Sequence, residues 1–84
     1  MRVVNIKIDY NDAIKDFIGK DADEIFASEG INFVQVLEEL SEEHPEIFKK
    51  YKPGKLGLLL NGKAPKDSDV LHDGDEIRLV GIGD

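Results

Sequence analysis

Cysteine and tryptophan are both missing from this chain of 84 residues. Without cysteine, disulfides, thiolate metal sites and thiol nucleophiles are all excluded. No apolar run approaches the roughly 20 residues that are needed to span a bilayer. The first residues also lack the apolar stretch and the cleavage site of a signal peptide. The sequence therefore predicts a cytoplasmic protein that has no contact with membranes.

Basic residues are scarce as well, with 11 lysines and arginines against 18 aspartates and glutamates and a net charge of −7. Nucleic-acid binding requires clustered basic side chains, so we expect no nucleic-acid partner. The one lysine cluster, between Lys49 and Lys55, lies at the end of a predicted helix, where the dipole favours cations. An acidic surface suits a basic protein partner, and it equally suits solubility alone.

The residues of known catalytic and metal sites do not occur at the required spacings. His44 and His72 are the only histidines, and neither has a metal-ligating neighbour at the usual short spacing. Gly57 to Lys63 has the spacing of a phosphate loop, but the residues between them are typical of a strand. Ala64 also stands where a magnesium-binding hydroxyl is needed. We therefore predict a protein that is not an enzyme and holds neither a metal nor a cofactor.

Apolar residues at every second position predict four strands. The first strand and the second are expected at Val3–Asp9 and Asp23–Ser28, joined by a mixed stretch, Tyr10–Lys20, that contains a helical turn. The third and fourth are expected at Leu56–Asn61 and Glu76–Ile82. Turn residues such as Asn-Gly and Asp-Gly bound these segments.

A helix is predicted between the second and third strands. Asn32 can cap its first turn, with Gln35 placed to complete a capping box. Pro45 interrupts the pattern, so we expect one helix to about Glu43 and a short second turn through Lys50. The apolar residues of this segment recur at helical spacing and share one face: Phe33, Val36, Leu37, Leu40, Ile47, Phe48 and Tyr51.

The order strand, strand, helix, strand, strand predicts a single α+β domain over residues 1–84. A helix-bearing connection separates the two strand pairs, so the first and last strands are expected to pair in parallel at the centre. This is a β-grasp arrangement, a mixed sheet of about four strands with one main helix packed on one face.

Several segments together resemble the MoaD/ThiS group of ubiquitin-like sulfur carriers, most closely the small subunit of molybdopterin synthase. The helix Val36–Leu40 is followed by a His44–Glu46 break as in that family, and Leu60–Lys63 is similar to its third-strand turn. Leu71–Ile77 resembles the aspartate-glycine-aspartate run before its last strand, and Gly19–Ile25 its second-strand entry. The resemblance extends over nearly the whole chain.

The resemblance implies a carrier that acts through its C-terminal tail. In the family the terminal carboxylate is adenylated by an E1-like enzyme, which binds the ATP, and is then converted to a thiocarboxylate. The implied partners are that adenylating enzyme and a larger synthase subunit, in molybdopterin or tungstopterin cofactor biosynthesis. The implied tail positions are Gly81, Gly83 and Asp84.

The tail departs from the family pattern, which ends in two glycines, because Asp84 follows Gly83 here. Glycine lets the backbone approach a partner closely, whereas aspartate adds a second carboxylate beside the reacting one, near an anionic triphosphate. The alternative is therefore a β-grasp interaction module that lacks the Gly-Gly end and carries no sulfur.

A docking face is predicted on the side of the sheet away from the helix. Alternation directs Val3, Leu59 and Val80 to this side together with Arg78. An exposed apolar patch often marks a protein interface, and carriers of the resembled family dock through this face. We therefore expect these four residues to contact the partner.

Overall fold

A computed structural model of the protein describes residues 2–82, so the predictions for Gly83 and Asp84 lie outside the described residues. The longest helix has 11 residues, and within this range no helix is long and apolar enough to cross a membrane. The elements, in chain order, are β1 (Val3–Tyr10), α1 (Asp12–Ile18), β2 (Ala22–Ser28), α2 (Phe33–Glu43), α3 (Pro45–Lys50), β3 (Leu56–Leu60) and β4 (Glu76–Gly81).

The four strands form one mixed sheet in the order β2-β1-β4-β3. β1 and β4 are parallel at the centre, with Lys7 opposite Glu76 and Tyr10 opposite Leu79. The two outer strands pair antiparallel with these central ones. The predicted β-grasp arrangement and its central parallel pair are therefore confirmed.

The segment between β1 and β2 is more regular than the predicted helical turn. The Asn11 side chain accepts a hydrogen bond from the Ile14 N–H at 3.2 Å and caps α1. Gly19 ends the helix in the left-handed conformation, at φ 81°. β1 and β2 are therefore joined by a capped helix.

The helix predicted after Asn32 is confirmed, including its division at Pro45. The Asn32 side chain accepts from the Gln35 N–H, and the Gln35 side chain accepts from the Asn32 N–H, both at 3.0 Å. Five of the seven residues on the predicted apolar face are buried, and the other two, Leu37 and Phe48, pack against the core.

The core lies between the helices and one face of the sheet, here called the inner face. No charged side chain is buried among residues 2–82. The other face, here called the outer face, bears exposed residues at alternate strand positions. The buried core residues are Val4, Ile6, Ile8, Tyr10, Ile14, Ile25, Ala27, Phe33, Val36, Leu40, Ile47, Tyr51, Leu71, Ile77 and Leu79.

Candidate functional site

The end of β4 is the place where the chain leaves the sheet. Gly81 is the last residue of the strand and lies opposite Leu56 of β3. The next residue, Ile82, donates its N–H to the Lys55 carbonyl at 2.8 Å, and 49% of its surface is exposed. Any tail chemistry of this chain must therefore begin beyond a strand that is anchored up to Ile82.

The side chain of Asn11 holds Gly81 from both sides. Its Oδ1 accepts the Gly81 N–H, and its Nδ2 donates to the Gly81 carbonyl, each at 3.0 Å. The Asn11 main-chain N–H donates to the Leu79 carbonyl at 3.0 Å. Since Asn11 also caps α1, this Asn11 clamp ties the end of β4 to the start of that helix.

Gly81 is also buried against an aromatic ring. A Cβ atom at this position would lie 2.6 and 2.7 Å from ring carbons of Tyr51 and 3.0 Å from Cγ1 of Ile14. Contacts below 3.0 Å do not fit a real side chain, so lack of space explains the glycine. The assignment of Gly81 to a free tail is therefore wrong, because this residue is part of the folded body. Gly81 follows Ile77 and Leu79 at every second position of β4, and this alternation could have indicated that Gly81 faces the core.

Three of the four predicted interface residues lie together on the outer face near the end of β4. Leu59 is opposite Arg78, and Val80 is opposite Gly57. Arg78 is exposed, whereas Leu59 and Val80 are half-buried. Gly57 adds no side chain to this corner. We call Leu59, Arg78 and Val80 the tail-side patch.

The fourth residue, Val3, lies at the other end of the sheet. Lys7 of β1 pairs with Glu76 of β4, and the two strands run in the same direction. Val3 lies four residues before this pair and Val80 lies four residues after it, so eight residues separate them along the strands. At about 3.3 Å per residue, Val3 and Val80 are about 26 Å apart along the strands. The expectation of one apolar patch that includes Val3 is therefore wrong, because strand register separates these residues.

Val3 has a different apolar neighbour, which the sequence reading missed. Val3 pairs with Ser28 of β2, and Phe26 lies two residues before Ser28 on the same face of that strand. The side chain of Phe26 is 65% exposed. The signal was available, because Phe26 alternates with the buried Ile25 and Ala27.

A band of charges separates the two apolar ends of the outer face. Lys7 lies opposite Glu76, and Asp9 lies opposite Arg78. A hydrogen bond with Asp9 and the negative charge of Asp9 raise the pKa of Glu76 above its ordinary value, while Lys7 and Arg78 act in the opposite direction. The outer face thus has an apolar end, a charged middle and a second apolar end.

A polar network lies at the edge of the core, where the α2–α3 junction meets β2. The Tyr10 hydroxyl donates to Asp23 Oδ2 at 2.9 Å, and His44 Nε2 lies 2.8 Å from the same oxygen. Lys20 Nζ is 3.2 Å from Asp23 Oδ1, and His44 Nδ1 is 3.2 Å from Glu46 Oε1. The network fastens the break between two helices to the sheet.

The network shifts two pKa values in opposite directions. Burial raises the pKa of Tyr10 well above its ordinary value, and the hydrogen bond and charge of Asp23 add to this effect. Burial alone would raise the pKa of Asp23 too, but hydrogen bonds from His44, Tyr10 and Lys20 outweigh it and lower that pKa. Asp23 is therefore held as a carboxylate, and Tyr10 as a neutral phenol.

Asp23, Glu43 and His44 are the group in the described part of the chain that could hold a metal ion. One ligand atom from each lies within 4.8 Å of the others. The sequence reading considered only local spacing and so missed that His44 meets Asp23 of a distant strand. Both ring nitrogens of His44 and both oxygens of Asp23 already have hydrogen-bonding neighbours. The network explains Asp23 and His44, and the expected lack of a metal stays a prediction.

Comparison with known proteins gives one family and several similar folds. The model of the ThiS family matches residues 8–82. A candidate molybdopterin converting factor, subunit 1, from Pyrococcus furiosus is 25% identical with a TM-score of 0.78, over 95% of this chain and 99% of that one. No curated protein matches significantly.

Two further structures are similar in fold alone. Small archaeal modifier protein 1 of H. volcanii is 15% identical with a TM-score of 0.77, over 95% of this chain and 99% of that one. The ubiquitin of Caldiarchaeum subterraneum is 20% identical with a TM-score of 0.66, over 99% of this chain and 98% of that one.

Proposed function

The chain belongs to the ThiS family, and from this premise we propose that it is a sulfur carrier in molybdopterin or tungstopterin biosynthesis. Members of this group are small ubiquitin-fold carriers and not enzymes. The observation that carries the proposal is the family match over residues 8–82. The resemblance in fold to the Pyrococcus furiosus protein supports the choice of pathway.

The proposed chemistry takes place on the main-chain carboxylate at the end of the tail, which follows β4 and includes Gly83 and Asp84. An adenylating enzyme would join this carboxylate to the AMP part of ATP, with release of pyrophosphate. Hydrosulfide would then attack the acyl carbon and displace AMP, leaving a thiocarboxylate. A larger synthase subunit would take the sulfur from it.

The body would serve as a fixed base for the tail. The Asn11 clamp and the packing of Gly81 under Tyr51 hold the chain up to the point of exit. The tail-side patch lies beside that exit and offers an apolar corner with one arginine. We propose that the adenylating enzyme and the synthase subunit dock on this patch.

The second candidate is a β-grasp interaction module that binds another protein and carries no sulfur. It is favoured by Asp84, whose side chain would place a second carboxylate beside the reacting one. The substitution Asp84→Gly creates a Gly-Gly pair with Gly83 and alters none of residues 2–82. It is therefore a matched variant for separating the two candidates.

Intact-protein mass spectrometry tests the proposal. The chain and its Asp84→Gly variant are each incubated with ATP, hydrosulfide and an adenylating enzyme from the same cell. A sulfur carrier exchanges one oxygen for sulfur at its end. Modification of the variant alone would identify the unsubstituted chain as an interaction module, and modification of neither would overturn the carrier proposal.

Docking is tested separately from the tail. Val80→Asp places a charge in the tail-side patch. The substitution is made in the parent chain or in the Asp84→Gly variant, depending on which of them is adenylated, and it is expected to lower the rate of adenylation at least tenfold. Val3→Asp introduces the same charge at the far end of the outer face and serves as the control. Equal effects of the two substitutions would argue against docking on the tail-side patch.

A further inference from the structure

The end of the sheet opposite the tail contains an open groove of about 550 Å³. It runs between the start of β1 and the segment that precedes β4. Its walls include Val3, Val70 and Leu71, with Arg2 and Glu29 at the rim. Leu71 is fully buried, so the floor of the groove is part of the core.

Among residues 2–82, the main chain of β1 has no hydrogen-bond partner where it borders this groove. Further along, Asn5 donates its N–H to Asp73 Oδ1 at 2.7 Å, its carbonyl accepts from the Gly74 N–H at 2.8 Å, and Lys7 donates to the Asp75 carbonyl. The main-chain N–H and C=O groups of the odd-numbered residues of β1 therefore point away from β2. Val3 follows the same alternation, and within residues 2–82 no main-chain hydrogen bond reaches its N–H or C=O on the groove side.

Two exposed apolar side chains, those of Val3 and Val70, line the groove at this position, and a third, that of Phe26, lies on the neighbouring strand β2. The exposed fractions are 60% for Val3, 65% for Phe26 and 49% for Val70. Val3 belongs to β1 and Val70 to the segment before β4, so the groove brings together apolar residues from two parts of the chain. An exposed cluster of this kind is typical of a protein-binding surface.

A second groove of about 550 Å³ adjoins the first and is acidic. The two share Glu29 and Gly30 in their walls. The second one runs along α2, whose exposed residues Glu38, Glu39 and Glu42 line it. A molecule that followed both grooves would meet an unpaired strand first and four carboxylates next.

We propose that these joined grooves bind an extended segment of a basic partner protein. The segment adds a short strand beside Val3, as in recognition by strand addition. Its apolar side chains lie on Val3 and Val70, and the lysines and arginines that follow reach the glutamates of α2. The site is about 26 Å along the strands from the tail-side patch. A partner can therefore occupy it while the tail is engaged elsewhere, independently of the sulfur-carrier proposal.

The test uses the acetylated peptide Ile-Val-Ile-Lys-Arg-Lys-Arg as the probe, added to the full chain labelled with ¹⁵N. Saturable shifts of amide signals are expected at Val3, Gly30, Glu39 and Val70. A peptide with glutamate in place of its four basic residues should produce none. Shifts that do not saturate, or that spread over all acidic surfaces, would overturn the proposal.

Two sets of variants separate the joined grooves from general acidity. The triple substitution Glu38→Gln, Glu39→Gln and Glu42→Gln is expected to weaken the peptide at least tenfold. Its matched control removes three charges elsewhere, by Asp12→Asn, Asp16→Asn and Asp21→Asn, and should change the affinity less than twofold. An equal loss in both would mean that net charge alone attracts the peptide.

A main-chain variant tests strand addition itself. Val3→Pro removes the N–H that the added strand would use, whereas Val3→Ala keeps it and trims only the side chain. Folding of both is checked by thermal unfolding, and the Asn5 amide signal reports the local structure. We expect Val3→Pro to weaken the peptide at least fivefold relative to Val3→Ala, and equal affinities would refute the pairing.

Discussion

The two faces of β4 bear alternate residues of one six-residue strand, yet they differ in burial and charge. On the inner face, Ile77 and Leu79 are fully buried and Gly81 is packed under Tyr51. On the outer face, Glu76 and Arg78 are exposed and charged, and Val80 is half-buried. The inner residues fix the position of the strand, and the outer residues are left for contact with other molecules.

Gly81 therefore belongs to the folded core and not to the tail. In sequence it stands next to a tail that resembles a reactive end, but in structure it fills an inner position where no side chain fits. Changes on the inner face should therefore alter stability strongly, and changes on the outer face should alter it little. Four predictions test this division.

The largest expected effect is that of truncating an inner residue. Leu79→Ala should lower the free energy of unfolding by about 2–5 kcal/mol, because it removes buried methyl groups and leaves a cavity. Val80→Ala, one residue further on the outer face, should change it by only about 0.5 kcal/mol. Urea denaturation of both variants checks this, and similar losses would contradict the division between faces.

The next effect concerns space at the end of β4. Gly81→Ala should destabilise the protein by about 1–3 kcal/mol, because the new methyl group meets the Tyr51 ring. Gly57→Ala in β3 is the control, since a Cβ there lies at an ordinary 3.6 Å from Val80. Combining Gly81→Ala with Tyr51→Leu should cost less than the two single losses added together. Strict additivity in thermal unfolding would show that the ring is not the cause.

A smaller effect is expected from the network on the inner side. Asp23→Asn weakens charge-assisted hydrogen bonds with His44 and Lys20 and should cost about 1–2 kcal/mol at neutral pH. The pKa of Asp23 is lowered in the folded protein, so its stabilising contribution is present above the ordinary aspartate pKa. That contribution is lost as the pH falls through the folded value. Chemical denaturation over this acid range should show a shallower decline for the variant than for the parent.

The smallest effect has the opposite sign and arises on the outer face. The pKa of Glu76 is raised by Asp9, so the folded state favours its protonated form and loses stability as the pH rises from the ordinary glutamate pKa through the folded value. Glu76→Gln removes this loss and should slightly stabilise the protein at neutral pH. Unfolding midpoints measured at acidic and neutral pH check it, and a destabilised variant at neutral pH would be inconsistent with repulsion by Asp9.

Local pattern was sufficient to predict most of the fold. Alternation predicted the four strands, and Asn32, Gln35 and Pro45 predicted where the helices begin and divide. Such signals act over a few residues, so they can be read directly from the chain. The parallel central pair followed from the helix-bearing connection between the strand pairs.

The candidate site was harder to predict from the sequence, because its features depend on contacts between residues that are far apart in the chain. Strand register separates Val3 from Val80, and no local pattern specifies register between a first and a last strand. The contact between Asp23 and His44 joins residues that are 21 positions apart. Gly81 was assigned to the tail by resemblance, although alternation placed it with Leu79.

The parallel pairing of β1 with β4 has a mechanical consequence. A pull on Ile82 along the direction of β4 loads the hydrogen bonds to both neighbouring strands in shear, together with the two bonds to Asn11. These bonds resist the force jointly and do not open one after another. A partner that draws the tail into a deep channel would therefore move the domain as a rigid whole.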